Sequence, residues 1–204
     1  MNSKSFFIVE DHALMRQGIA SMLEQNRQWV CLGKAGSLTE ARTLFAGLTK
    51  SNTLPSVVIE DLNLGDEDGL TFIKELHASH PEIKTLVYSM YTSSGVVQRC
   101  LTAGATGYIS KSASEQEFIK AIETVNAGRL YIEQNMLEPL VTYRNSISSL
   151  TKRETQVLEL TLQGKSNAEI AIALNLEKRA VENYISRIYT KTGCKNHTDL
   201  INQL

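Results

Sequence analysis

The chain has 204 residues, 42% of them hydrophobic, 21% charged and 6% aromatic, which is enough apolar material for one large core or two small ones. Lysine and arginine number 21 against 22 aspartates and glutamates, a formal net charge of −1, which excludes a uniformly basic DNA-packaging protein and a wholly acidic disordered tail. The average hides a split, with 11 basic against 14 acidic residues through Ala127 and 10 against 8 from Gly128 onward.

Short apolar runs at 6–9, 30–35, 57–59, 85–89 and 107–109 read as strands. Between and after them, helix-period segments fall at 13–25, 38–48, 69–79, 95–103 and 114–126. Strands alternating with helices of this length predict right-handed βαβ units around a parallel sheet. Continuous apolar runs such as Val57-Val58-Ile59 fit strands covered on both faces. The expected fold class is therefore α/β, a doubly wound five-stranded parallel sheet. The alternation stops near Gly128. The stretch 128–147, with Pro139 and a polar cluster at Arg144, Asn145 and Ser146, reads as a linker with room for a short helix around 135–143. From Leu150 onward the pattern is all helix. The expected division is 1–127, a linker at 128–147, and a small all-α domain at 148–204.

Cys31, Cys100 and Cys194 are an odd number, far apart and without metal-ligand spacing, which points to a reducing compartment. No apolar stretch approaches the ~18 residues needed to cross a bilayer. Phe6-Phe7-Ile8-Val9 runs at once into Glu10 and Asp11, leaving no room for a signal-peptide core. The expectation is a cytoplasmic protein with no membrane partner.

Glu10 and Asp11 follow the first strand and Asp61 follows the third. In strand order 2-1-3-4-5 the first and third strands are neighbours, and ligands bind outside their carboxyl ends. Three carboxylates so placed repel one another unless a cation intervenes, and an all-oxygen set suits Mg²⁺. Ser89 ends the fourth strand and Lys111 lies just beyond the fifth, so a hydroxyl and an ammonium enter the same mouth. A carboxylate nucleophile, a divalent ion, a lysine and a hydroxyl are the groups that phosphoryl transfer uses. A haloacid-dehalogenase-type phosphatase also uses a strand-end aspartate, but it needs a second aspartate two residues on, where this chain has Asn63.

Four motifs in order resemble the receiver domain of bacterial response regulators: Ile8-Val9-Glu10-Asp11-His12, Asp61-Leu62-Asn63-Leu64 with Asp68-Gly69-Leu70, Val87-Tyr88-Ser89-Met90, and Gly104-Ala105-Thr106-Gly107-Tyr108-Ile109-Ser110-Lys111. The resemblance implies that Asp61 is phosphorylated by a sensor histidine kinase. It implies that Glu10, Asp11, Asp61 and the Asn63 backbone carbonyl hold Mg²⁺, and that Ser89 and Lys111 bind the phosphoryl oxygens. Tyr108 matches the family's aromatic switch, whose ring moves inward when the hydroxyl residue engages phosphate. Receivers usually carry proline in the loop after the acceptor, where this chain has Gly65, followed by Asp66, Glu67 and Asp68.

In the last part, Thr151-Lys152-Arg153-Glu154 and Ser166-Asn167-Ala168-Glu169 fit capping boxes that start two helices. After a turn at Asn175, a third helix runs from about Lys178 to Thr192 and ends at Gly193. Val181, Ile185 and Ile188 form its buried face, and Lys178, Arg179, Glu182, Asn183, Ser186, Arg187 and Lys191 its outward face. This is a helix-turn-helix pattern with a major-groove helix, and a fourth helix is expected over 198–204. The string also resembles the LuxR/FixJ-type DNA-binding domain, which implies a response regulator of the NarL/FixJ group rather than an enzyme. Its implied partners are a sensor kinase, double-stranded DNA and a second copy when phosphorylated. Two departures stand out. Glu177 replaces the family's frequent serine N-cap, and Glu182 replaces a common basic contact, although a glutamate can accept from cytosine N4.

Overall fold

The computed structural model describes residues 4–25, 29–197 and 200. By contacts the chain divides into two compact units, Met1–Thr92 with Val97–Glu133, and Ser93–Val96 with Gln134–Leu204.

The first unit runs β1 (Lys4–Val9), α1 (Ala13–Gln25), β2 (Trp29–Ala35), α2 (Leu38–Lys50), β3 (Val57–Glu60), β4 (Asn63–Leu64), β5 (Glu67–Asp68), α3 (Gly69–Ser79), β6 (Lys84–Ser89), α4 (Ser94–Thr102), β7 (Gly107–Ser110), α5 (Glu115–Asn126) and β8 (Tyr131–Ile132). Among the described residues the main sheet has six strands in the order β2-β1-β3-β6-β7-β8, every pair parallel. Side chains alternate across a strand, so β1 feeds two cores. Phe6 and Ile8 pack with Val57, Ile59, Ile19 and Leu23 of α1, and Phe118 and Ile122 of α5. Phe7 and Val9 pack with Val58, Phe45 of α2, and Phe72 and Leu76 of α3. Each such buried side chain contributes roughly 1.5–3 kcal/mol, which is what fixes the register. The five strands read from the sequence are all present, and the first-to-third adjacency that brings Glu10, Asp11 and Asp61 together is observed.

Three features depart from the sequence reading. A sixth strand, β8, pairs Tyr131 and Ile132 with Gly107 and Tyr108 at the edge of the sheet, inside the segment read as linker. The loop after β3 folds into an antiparallel hairpin in which Asn63 faces Asp68 and Leu64 faces Glu67. Its turn places Gly65 at φ +69°, a value closed to proline. The rest of the linker is α6 (Gln134–Ser148), a helix through Pro139. Met136 and Leu140 are buried in it, and Tyr143 and Ile147 pack against the helical core. These four recur at helical spacing, and that apolar stripe outweighs the proline and the polar cluster.

The second unit continues with α7 (Lys152–Leu162), α8 (Asn167–Leu174) and α9 (Lys178–Thr192). Its core is built from Val157, Leu158, Ile170, Val181, Ile188 and Cys194. Both expected capping boxes are formed, Thr151 with Glu154 and Ser166 with Glu169. Asn175 caps α8 in the left-handed conformation and Gly193 ends α9. The helix expected over 198–204 lies outside the described residues apart from Leu200, which is buried. Among the described residues the three cysteines form no disulfide. No helix among the described residues is long and apolar enough to cross a membrane.

Candidate functional sites

The sheet delivers its acidic residues to one edge. Glu10, Asp11, His12 and Asp61 each offer a ligand atom, all within 4.8 Å of one another. Glu10 and Asp61 are buried, at 1% and 3% exposure, because they terminate adjacent central strands. Lys111, one residue past β7, bridges them. Its ammonium donates to Asp61 Oδ2 at 2.7 Å and lies 2.7 Å from Glu10 Oε2. Burial works against that ammonium, but hydrogen bonds to Asp61 and Glu10 outweigh it and raise its pKa. One cation against three carboxylates leaves negative charge in the pocket. Glu10 Oε2 meets the Lys111 ammonium and Asp11 Oδ1 the His12 Nδ1, each at 2.7 Å, which leaves lone pairs on both oxygens. This donor set, hard oxygens with unsatisfied lone pairs and partial access to solvent, fits a divalent cation such as Mg²⁺. The Asn63 amide donates to Asp61 Oδ1 at 3.3 Å, placing its residue beside the acceptor.

Ser89 ends β6 fully buried, and its hydroxyl accepts from the Tyr91 amide at 3.3 Å. Tyr108, on neighbouring β7, is also fully buried, and its hydroxyl donates to the Tyr91 carbonyl at 2.5 Å. Burial pushes the Tyr108 phenol far above its usual range, so it is a permanent donor. The ring is thus held inside, with Ser89 and Tyr108 both tied to the segment that follows β6.

The sequence reading gave no role to three residues that the structure places here. His12 Nδ1 lies 3.0 Å from Glu10 Oε1 and 2.7 Å from Asp11 Oδ1, and its pKa is raised by the Glu10 hydrogen bond and then by the Asp11 charge. Arg16 donates to the carbonyls of Glu10 and Asp11, pinning the loop that carries them. Glu60, the residue before Asp61, is fully buried, and neither of its oxygens is hydrogen-bonded among the described residues. Burial, then the Asp61 charge, pushes its carboxyl well above the usual carboxylate range. An acidic residue at the end of an otherwise apolar run was the available signal.

In the second unit, α9 buries Val181 and Ile188 and exposes Lys178, Arg179, Glu182, Asn183, Ser186 and Arg187. Thr190 extends the same exposed face, one turn beyond Ser186, and escaped the sequence reading. The Arg187 guanidinium lies 5.9 Å from the Tyr184 ring centroid, which restrains its direction. Lys191 is engaged otherwise. Its ammonium donates to Glu154 Oε2 at 2.7 Å and to the Ser149 carbonyl at 3.0 Å, clamping the end of α9 to the start of α7. Glu154 is 3% exposed, and the Lys191 hydrogen bond, followed by the Thr151 amide, lowers its pKa to about 2. Glu177 occupies the α9 N-cap without a side-chain cap bond.

A doubly wound sheet with an acidic pocket at its carboxyl edge, followed by a helix-turn-helix unit, defines a receiver coupled to an output domain of DNA-binding type. The chain belongs to the response regulators. The family described as response regulator receiver domain matches residues 6–123, and that described as bacterial regulatory proteins, luxR family, matches residues 148–204. The transcriptional regulatory protein UhpA of Salmonella typhimurium is 32% identical over 197 residues, covering 97% of this chain and 95% of the relative. The transcriptional activator DevR/DosR of Mycobacterium tuberculosis is 29% identical over 199 residues, covering 94% and 89%. Among solved structures, a complex of the response regulator RcsB with DNA is similar at a TM-score of 0.74 and 25% identity, covering 99% of this chain and 98% of that one.

Proposed function

We propose that this chain is a cytoplasmic transcription regulator, not a metabolic enzyme, switched by phosphorylation of Asp61. A sensor histidine kinase supplies the phosphoryl group. An Asp61 carboxylate oxygen attacks phosphorus as the bond to the kinase imidazole breaks, and the imidazole leaves. Glu10, Asp11, Asp61 and the Asn63 carbonyl would hold Mg²⁺, which supplies charge neutralisation for the phosphoryl oxygens. Lys111 exchanges its Asp61 contact for a phosphoryl oxygen, and Ser89 donates its hydroxyl to another. Tyr108, already inside, would hold the following segment in the position that Ser89 then demands.

The output is dimerisation and binding to double-stranded DNA. Lys178, Arg179, Glu182, Asn183, Ser186 and Arg187 present α9 to the major groove, while Lys191 acts chiefly as the internal clamp. The domain limits that go with this reading are a receiver at 1–127 and a DNA-binding domain at 148–204, joined by 128–147. The observation that carries the reading is Lys111, whose ammonium lies 2.7 Å from both Asp61 Oδ2 and Glu10 Oε2 in a pocket that gathers Asp11 beside them.

Incubation with Mg²⁺ and acetyl phosphate tests it. Intact-mass measurement should show one added phosphoryl group on the wild type and none on Asp61→Ala. Equal labelling of the two refutes the assignment.

A further inference from the structure

The receiver unit carries an open groove of about 420 Å³ between α3 and α4, away from the acidic pocket. Leu70, Lys74 and His77 line it from α3, and Gln98, Arg99 and Thr102 from α4. Its charge runs against that of its unit, where acidic residues outnumber basic ones by 14 to 11 through Ala127. No carboxylate lines the groove. The acids beside this wall are engaged elsewhere, since Asp68, the N-cap of α3, accepts from the Leu70 amide at 3.0 Å and Glu75 of α3 takes both guanidinium bonds of Arg42 at 2.8 and 2.9 Å. Lys74 and Arg99 make no ion pair among the described residues. The end of the groove is rigid. Gly104 has φ +110°, and a Cβ there would lie 2.3 Å from His77 Cγ, so the imidazole is seated directly on the chain reversal after α4. Leu70 and Ala103 add apolar wall.

We propose that this groove binds a small phosphate monoester carried on an aromatic or apolar body, of nucleoside-monophosphate size. Two unpaired cations on opposite walls suit one dianionic head group. The Arg99 fork offers paired N–H donors to phosphoryl oxygens and Lys74 a mobile point charge. The apolar wall takes the body, and the volume falls within the roughly 300–1,000 Å³ of small-molecule sites. Because the cations sit on different helices, the ligand ties α3 to α4 and stabilises the receiver unit by mass action.

The test is calorimetric titration of the full chain with adenosine 5′-monophosphate, phenyl phosphate, adenosine and inorganic phosphate. At least one monoester should bind saturably, about tenfold or more tightly than inorganic phosphate or adenosine. Lys74→Gln and Arg99→Gln should each weaken it about tenfold, the loss of one charge-assisted contact of about 1.4 kcal/mol. Asp61→Ala should bind as the wild type does, which separates this site from the phosphoacceptor pocket and makes the result independent of that reading. Amide shift changes should be confined to α3, α4 and the Gly104 turn. Failure of both monoesters to bind overturns the proposal. So does inorganic phosphate binding as tightly as the monoesters, or unchanged affinity in the Lys74→Gln, Arg99→Gln double variant.

Discussion

Replacing Lys191 by methionine keeps the aliphatic stem and removes the ammonium that joins α9 to α7. The bond to Glu154 is 2.7 Å long, with the lysine side chain 32% and the glutamate 3% exposed. A fully buried pair loses about 3–5 kcal/mol when one partner goes. The open lysine side allows water to reach the bereaved carboxylate, so the lower figure for a charged hydrogen bond, about 1.5–3 kcal/mol, applies. For a domain of this size each kcal/mol moves the midpoint by about 4–8 °C, so a loss of about 10 °C is expected for the helical unit at pH 7. The pH dependence identifies the cause. Glu154 titrates at about 2 in the folded chain against its ordinary 4.5. Its contribution is therefore full above 4.5, is lost as pH falls through about 2, and should vanish from the wild-type-minus-variant difference below that. Circular dichroism melts at pH 7, 4 and 2 measure this. If Lys191→Met melts with the wild type while DNA affinity falls and the salt slope drops by about one, Lys191 contacts phosphate and the clamp argument is wrong.

Glu60→Met should stabilise the receiver unit by about 1–3 kcal/mol, because it replaces a buried, unpaired acid with an apolar side chain of similar length. Urea unfolding checks it, and a loss of stability would reveal a partner for that carboxyl. Glu177→Ser should give α9 the cap bond it lacks, worth roughly 0.5–2 kcal/mol, against about 0.3–1 kcal/mol for the carboxylate lost from the helix N-terminus. The net gain in a melt is small, but DNA binding should strengthen across all sequences as a negative charge leaves the interface. A change confined to one operator would mean that Glu177 reads a base.

Most of the receiver could be read from its sequence because both signals that define it are local. Val57-Val58-Ile59 has no polar alternative, so it is a central strand, and the acidic residues that follow the apolar runs fall at strand ends by necessity. What escaped depends on partners remote in the chain. Tyr131 and Ile132 are too short a run to be a strand until Gly107 and Tyr108 offer them an edge. The Asn63–Asp68 hairpin lacks any alternation, and only Gly65 hints at a turn there. In α6 the polar composition of the tail masks an apolar stripe at helical spacing, Met136, Leu140, Tyr143 and Ile147. Lys191 was assigned to the outward face by periodicity alone. Periodicity cannot register that Glu154, 37 residues earlier, is buried beneath it.

With Lys191 bonded to Glu154, the exposed face of α9 carries one cation fewer. Without Lys191, the exposed cations of α9 are Lys178, Arg179 and Arg187, opposed by Glu182 on the same helix and by Glu177 at its cap. Three phosphate contacts release counterions equivalent to a salt slope of about −2.7, a weak grip for one copy. Two copies on one operator should double this to about −5, and joining them makes the second engagement effectively intramolecular, worth ~10²–10⁴ in avidity. The proposed control through dimerisation would offset the small number of cations that α9 itself exposes. Binding measured across a salt series, with and without acetyl phosphate, should show the slope roughly doubling on phosphorylation. A slope that stays constant while affinity rises would mean that phosphorylation uncovers a helix already present in a dimer, and the charge argument for assembly would fall.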